Sequence, residues 1–177
     1  FSLSIRMPKR CQFFYHGRHA FGWCSNSLRH LIWESAHLID EMIRHAVEAR
    51  ESAYAPYSNF KVGACVRTAS GKLFSGCNVE NAAYPQGQCA EASAIGAMVA
   101  AGERIIVEIV VVGGGDELCT PCGGCRQRLN EFSKPDTPVH VCGTEGVRET
   151  FTMGDLLPHS FGPNNLEAQI DGASARG

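Results

Sequence analysis

The sequence predicts an α/β protein whose sheet is covered by helices on both faces. Three observations carry this. Strand and helix patterns alternate through one stretch, residues 35 to about 165. One segment, Ile105 to Val112, is apolar except for Glu108, which suits a strand at the centre of a doubly covered sheet. That stretch contains no repeat and no linker, so it reads as one domain.

Leu38, Ile39, Met42, Ile43, Ala46 and Val47 recur at helical spacing, with Ser35 as an N-cap, so a first helix is expected from there to about Ser52. Pro56 stops its continuation within the loop Tyr54-Ala55-Pro56-Tyr57-Ser58-Asn59. Val62, Ala64 and Val66 alternate with Lys61, Cys65 and Arg67, which reads as a strand. Ser70-Gly71 turns the chain into a second strand over Lys72 to Asn78, making a hairpin. Glu91 to Ala101 is an alanine-rich helix with Ile95, Met98 and Val99 on one side, and Gly102 ends it. After the central strand, Arg126 to Phe132 reads as a helix. Pro138 to Cys142 and Val147 to Thr152 read as short strands. The order is α-β-β-α-β-α-β, with room for another strand and a short helix. Past Pro163 the tail thins into Gly, Asn, Ala and Ser, and residues 166–177 are expected to be flexible.

Composition narrows the function classes. The chain has 177 residues, with 16 basic and 18 acidic side chains, a net charge of −2 and a pI near 6.4. Such a balance disfavours a non-specific duplex-DNA binder, which needs a basic face. With 44% hydrophobic and 19% charged residues the chain is globular. No run approaches the ~20 apolar residues of a membrane helix. Nine cysteines, at 11, 24, 65, 77, 89, 119, 122, 125 and 142, are an odd number, and the sequence shows no clear secretory h-region with a small-residue cleavage site. Reduced thiols in the cytoplasm, some of them on a metal, are therefore expected.

Residues 1–33 contain no acid and five bases, Arg6, Lys9, Arg10, Arg18 and Arg29, leaving 11 bases and 18 acids for the rest. This segment lacks a sustained apolar pattern. An extension over residues 1–34, disordered or outside the fold, is expected; an organelle transit peptide is the other reading, and a basic nucleic-acid arm a weaker one.

The chemistry lies in Cys89-Ala90-Glu91 and Pro121-Cys122-Gly123-Gly124-Cys125. Each opens a helix, where free N–H groups and the helix dipole favour a thiolate. C-x-x-C over a first turn aims two sulfurs at one point. Three thiolates, from Cys89, Cys122 and Cys125, leave the fourth tetrahedral position of a zinc ion open, which is the arrangement of a catalytic site. Glu91, two residues past Cys89, can stand beside the metal without binding it and move a proton. A non-ligand Glu with Pro-Cys-x-x-Cys is the pattern of zinc deaminases.

More of the sequence carries a specific resemblance. Ala55-Pro56-Tyr57-Ser58-Asn59-Phe60-Lys61-Val62-Gly63-Ala64, Gly76-Cys77-Asn78-Val79-Glu80-Asn81-Ala82-Ala83-Tyr84-Pro85, the two cysteine segments with Arg126-Gln127, and Leu156-Leu157-Pro158 resemble the small, homotetrameric, zinc-dependent cytidine deaminase family over residues 37–162. The resemblance implies a three-layer α/β/α fold with a mixed sheet of about five strands, within a catalytic domain at 35–165. It implies one zinc per subunit and hydrolytic deamination of cytidine and deoxycytidine in pyrimidine salvage. Glu91 would carry a proton from zinc-activated water to the ring and then to the departing ammonia. Asn78 and Glu80 would hold the ribose 3′-hydroxyl, Phe60 would pack on the pyrimidine, and Ala90, through its backbone, and Glu91 would read the base edge. Phe161 resembles the aromatic that a neighbouring subunit places over the base. Tyr57 and Tyr84 would lie near the site or the subunit interface. Arg126 would donate to a thiolate and offset its charge. The expected partners are a nucleoside and further copies of the chain, with no nucleic acid and no membrane.

One position departs from the family, which commonly has Arg after Cys-Ala-Glu where this chain has Ala92. Reduced or pH-shifted activity is expected from it.

Other readings stand beside these. A structural zinc site would take Cys77 as a fourth ligand and leave Glu91 idle. A polynucleotide deaminase would need a basic surface. A blasticidin-type deaminase would lack the Ala-Pro-Tyr-Ser and Asn-Val-Glu-Asn segments. Cys119 reads as a spare loop thiol or as half of a redox pair with Cys122. Cys65, Cys77 and Cys142 read as small core residues, and His140 as a satisfied strand histidine.

Overall fold

Alternation along the central strands sorts the apolar side chains into two cores. The computed structural model describes residues 26–166. Its elements are α1 (Asn26–Glu51), β1 (Gly63–Thr68), β2 (Leu73–Cys77), a 3-10 turn at Tyr84–Gln86, α2 (Ala90–Ala100), β3 (Ile106–Val112), α3 (Gly123–Phe132), β4 (Pro138–Gly143), β5 (Gly146–Thr152), α4 (Met153–Leu156) and a 3-10 turn at Pro163–Asn165. The five strands form one sheet in the order β2-β1-β3-β4-β5. β3 and β4 are parallel, and the other neighbouring pairs are antiparallel. The mixed sheet and its five strands agree with the expected fold.

Ala64, Val66, Ile109, Val111 and Val139 point to one face, against Ala90, Ala94 and Met98 of α2 and Leu129 of α3. Cys65, Val110, Val112 and Cys142 point to the other, against Met42, Ile43 and Ala46 of α1. β3 serves both cores, which is why its sequence is almost continuously apolar. Each buried Val or Ile contributes roughly 1.5–3 kcal/mol relative to exposure. Cys65 and Cys142 are buried core thiols, as expected, while Cys77 is only half-buried.

Two glycines let the helices rest directly on the strands. A Cβ on Gly63 would overlap the Ala46 carbonyl oxygen of α1 and stand 2.8 Å from the Arg50 nitrogen. A Cβ on Gly76 would overlap the Ala94 nitrogen and stand 2.6 Å from the Ser93 Cβ and 2.7 Å from the Ala90 oxygen. The second approach brings the start of α2 against the end of β2, where Cys77 runs into Asn78 and Glu80.

Glu108, the one charge in β3, is met by partners from both neighbouring strands. Arg67 of β1 donates to it from Nε at 2.8 Å and pairs through Nη2 at 2.7 Å, and His140 Nε2 of β4 lies 3.1 Å away. His140 Nδ1 lies 2.9 Å from Thr150 Oγ1 of β5. His140 is thus satisfied within the sheet, as read from the sequence.

The first helix differs from expectation. It begins at Asn26 rather than at Ser35, because no Pro or Gly interrupts residues 26–35 and Leu28, Leu31 and Ile32 continue the helical spacing. Of the extension expected over 1–34, residues 1–25 lie outside the described residues and 26–34 are helical. Of the tail expected over 166–177, only Leu166 is described. α3 likewise starts at Gly123, before the expected Arg126. No helix among the described residues is long and apolar enough to cross a membrane.

Candidate active site

Two helix starts converge at the floor of a cleft. Cys89 is the N-cap of α2 and Cys122 the N-cap of α3, and neither helix has a side-chain cap bond there. The sulfurs of Cys89, Cys122 and Cys125 lie within 4.8 Å of one another, with 3.8 Å between Cys89 and Cys122. Three sulfurs bound at about 2.3 Å to one tetrahedral ion stand about 3.8 Å apart, so the set fits zinc. Cys125 is buried, Cys89 half-buried and Cys122 exposed. Burial and the Glu91 carboxylate push the Cys125 thiol up, and burial likewise raises Cys89. Cys122 is also raised by burial, but the Cys125 backbone N–H and the neighbouring sulfurs outweigh this and hold it low. Two thiols that resist ionisation around one that does not are a donor set that a cation completes.

Glu91, in the first turn of α2, is 4% exposed. Its Oε2 lies 3.3 Å from Cys125 Sγ. It therefore stands at the edge of the sulfur triangle and opens onto the cleft, whose volume is about 420 Å³. Phe60, Asn78, Glu80 and Ala90 line the same cleft. The structure thus brings together seven of the residues expected at the site, counting Cys89 and Cys122 at its floor and Glu91 beside them.

The wall opposite α2 is the loop before β1. Asn78 Oδ1 accepts from the Val62 N–H at 2.8 Å, and its Nδ2 donates to the Phe60 carbonyl at 2.9 Å. Glu80 Oε2 accepts from the Tyr57 and Ser58 N–H groups at 2.8 and 3.2 Å, and Oε1 accepts from the Ser58 hydroxyl. The bond from Ser58 and the Tyr57 N–H hold the exposed Glu80 carboxyl below the usual carboxylate range. These side chains organise the loop as well as facing the cleft.

A family model described as the cytidine and deoxycytidylate deaminase zinc-binding region matches residues 37–141. The chain belongs to that deaminase family. A cytidine deaminase of Sporosarcina psychrophila is 38% identical over 128 residues, covering 72% of this chain and 94% of the relative. One of Halalkalibacterium halodurans is 39% identical, covering 68% and 91%. The crystal structure of cytidine deaminase from Burkholderia pseudomallei superposes with a TM-score of 0.65 at 47% identity, covering 69% of this chain and 98% of that one.

The remaining expected residues lie outside the cleft. Tyr57 and Tyr84 meet edge to face, with centroids 5.9 Å apart at 63°, over an adjoining groove of about 350 Å³ that shares Glu80 and Gly87. Phe161 is exposed and is not among the residues lining its own chain's cleft. Its carbonyl accepts from Gln127 Nε2 at 2.9 Å and from Asn130 Nδ2 at 3.4 Å, so α3 holds the segment that carries it. Arg126 donates to the Pro121 carbonyl at 2.7 Å, the Leu156 carbonyl at 2.9 Å and Thr120 Oγ1 at 3.1 Å. These described bonds go to oxygens rather than sulfurs, so Arg126 ties the cysteine loop to α4.

Sequence reasoning left two contributors unassigned. Ser58 is a hydrogen-bond hub, and its place in the Ala-Pro-Tyr-Ser segment was the available signal. Cys119 lines the cleft, and its place three residues before Cys122 pointed there.

Proposed function

We propose that this protein deaminates cytidine and deoxycytidine hydrolytically, giving uridine or deoxyuridine and ammonia. The observation that carries the reading is the buried Glu91 carboxylate, 3.3 Å from Cys125 Sγ at the edge of a three-sulfur site that opens onto a cleft. A structural zinc site has no use for such a group.

In this reading Cys89, Cys122 and Cys125 hold one zinc ion per chain. Bound there, zinc supplies the Lewis acidity that makes water a nucleophile near neutral pH. Glu91 does the proton work: its carboxylate takes a proton, delivers it to N3 of the pyrimidine as C4 is attacked, and then serves the departing amine. Burial keeps that carboxylate in a low-dielectric setting where proton transfer is not lost to bulk solvent. Asn78 and Glu80 hold the ribose 3′-hydroxyl, Phe60 packs on the base, and the Ala90 backbone reads the base edge.

The exposed Phe161, held out by α3, suits delivery to the cleft of another copy, and the exposed Tyr57–Tyr84 pair suits a subunit contact. We therefore read the working form as a homotetramer, with residues 35–165 as the catalytic domain. A cytoplasmic, thiol-reducing setting suits three cysteine ligands. The reading needs neither a nucleic-acid nor a membrane partner.

The test is the loss of ultraviolet absorbance on adding cytidine to purified protein of known zinc content. Turnover with about one zinc per chain, abolished by a chelator and restored by zinc, is expected. Full zinc with no turnover of cytidine or deoxycytidine would move the substrate to another amino-bearing compound.

A further inference from the structure

The Phe60 backbone is held on both sides by side chains, those of Asn78 and Ser58. Its carbonyl accepts from Asn78 Nδ2 at 2.9 Å, and its N–H donates to Ser58 Oγ at 3.0 Å. The Ser58 hydroxyl in turn donates to Glu80 Oε1. A hydroxyl has one proton to give. With that proton committed to Glu80, the orientation of the oxygen that receives the Phe60 N–H is fixed as well. Between Ser58 and Phe60, Asn59 sits at φ 55°, a left-handed conformation that asparagine adopts more readily than other non-glycine residues.

We infer that Ser58 is a positioning residue of the nucleoside site, joining the carboxylate that meets the sugar to the aromatic that meets the base. The inference rests on the nucleoside reading above, since Glu80 and Phe60 take their ligand roles from it. Its consequence is that sugar and base are gripped by one hydrogen-bonded unit. Tightening Glu80 on a 3′-hydroxyl holds Ser58, and Ser58 holds Phe60. Glu80 Oε1, which accepts only the Ser58 bond, keeps lone-pair capacity for a ligand hydroxyl, while Oε2 is filled by the Tyr57 and Ser58 N–H groups.

The location separates this role from a folding role. Ser58 and Phe60 are exposed, the latter by 44%. In a Ser58→Ala chain the freed Phe60 N–H turns to water, so the fold loses little. What is lost is the alignment of two groups that act only when a ligand is bound.

The test compares wild type, Ser58→Ala, Ser58→Cys and Ser58→Thr as zinc-loaded enzymes. The measurements are KM and kcat for cytidine, inhibition constants for uridine and 3′-deoxyuridine, and melting temperature. Ser58→Ala is expected to raise KM about tenfold, the effect of losing one hydrogen bond to a charged group, with kcat within about threefold. The preference for uridine over 3′-deoxyuridine should fall towards one, because Glu80 is no longer aligned. Ser58→Cys, a weaker donor, should fall between. Ser58→Thr, which keeps the hydroxyl, should restore the preference. An unchanged KM and preference in Ser58→Ala overturns the inference. So does a lowered melting temperature with both inhibitors weakened equally, which is the mark of a structural role. Wild type that is loaded with zinc but inert on cytidine and deoxycytidine defeats the nucleoside reading itself, a result distinct from either of these.

Discussion

Glu91 Oε2 stands 3.3 Å from Cys125 Sγ, although the two residues are 34 positions apart in the chain. The contact exists because α2 and α3 begin at the same point, each with a cysteine as its N-cap. It places a carboxylate beside the sulfur triangle while the three sulfurs fill the ligand positions.

Removing that carboxylate should therefore separate metal binding from turnover. Glu91→Ala is expected to keep about one zinc per chain and to lose activity by about a hundred- to ten-thousand-fold, the usual worth of a positioned acid–base group. Metal analysis and the absorbance assay on one preparation check this. Loss of zinc in the variant would make Glu91 a ligand.

How far the sequence was legible follows from whether the deciding forces are local. β3 could be read directly, because a strand facing two cores must be apolar on both sides. Cys89, Glu91, Cys122 and Cys125 could be read as a site, because their spacing already aims them once each segment starts a helix. The start of α1 could not, because Ser35 is a local cap signal that the chain passes without using. The early start of α3 was hidden by Gly123 and Gly124, poor helix formers held in place by the packing of Cys125 and Leu129 behind them. The Ala-Pro-Tyr-Ser segment marked Ser58 but not the partner of its hydroxyl, which is 22 residues away on the far side of β1 and β2. Cys119 reaches the cleft on a loop whose Gly115 and Glu117 carbonyls accept from Arg148 of β5, a partner that no local pattern supplies.

The close approach at Gly76 gives a prediction about the site's foundation. Gly76→Ala would drive a methyl group into the Ala94 nitrogen and the Ser93 Cβ, and backbone atoms cannot swing aside as a flexible side chain can. A destabilisation of about 1–3 kcal/mol is expected, a fall of several degrees in melting temperature. Because α2 carries Cys89 and Glu91, the surviving folded protein should also turn over more slowly. An unchanged melting temperature would mean that α2 has room to retreat.

Ala92 leads to a prediction about pH. Three thiolates on one Zn²⁺ leave a net negative site, which opposes the ionisation that the reaction needs. The described bonds of Arg126 go to Pro121, Leu156 and Thr120 rather than to sulfur. Ala92 is half-buried in the first turn of α2, next to Glu91. Ala92→Arg brings a guanidinium to that end of the helix, and the acidic limb of the pH–rate profile is expected to move to lower pH. Superimposable profiles would show that the thiolate charge is already balanced.

The last prediction concerns stability rather than turnover. Burial by itself would raise the pKa of the Glu108 carboxyl. The hydrogen bonds from His140 and Arg67, together with the Arg67 charge, outweigh it and hold the group below its usual 4.5. A carboxylate whose folded value is depressed binds its proton more weakly folded than unfolded. The stability it contributes is therefore fully present above the ordinary carboxylate value and drains away as pH falls through the lower folded one. Glu108→Gln keeps the shape but removes the charge that Arg67 and His140 both face. It should cost about 1–3 kcal/mol near neutral pH, because two donors in the sheet lose a charged acceptor. The penalty should shrink as pH falls from the ordinary carboxylate value through the lower folded one. Melting temperatures of both proteins across that range check the sign. Parallel curves for wild type and variant would remove Glu108 from the acid response and place it with groups elsewhere in the fold.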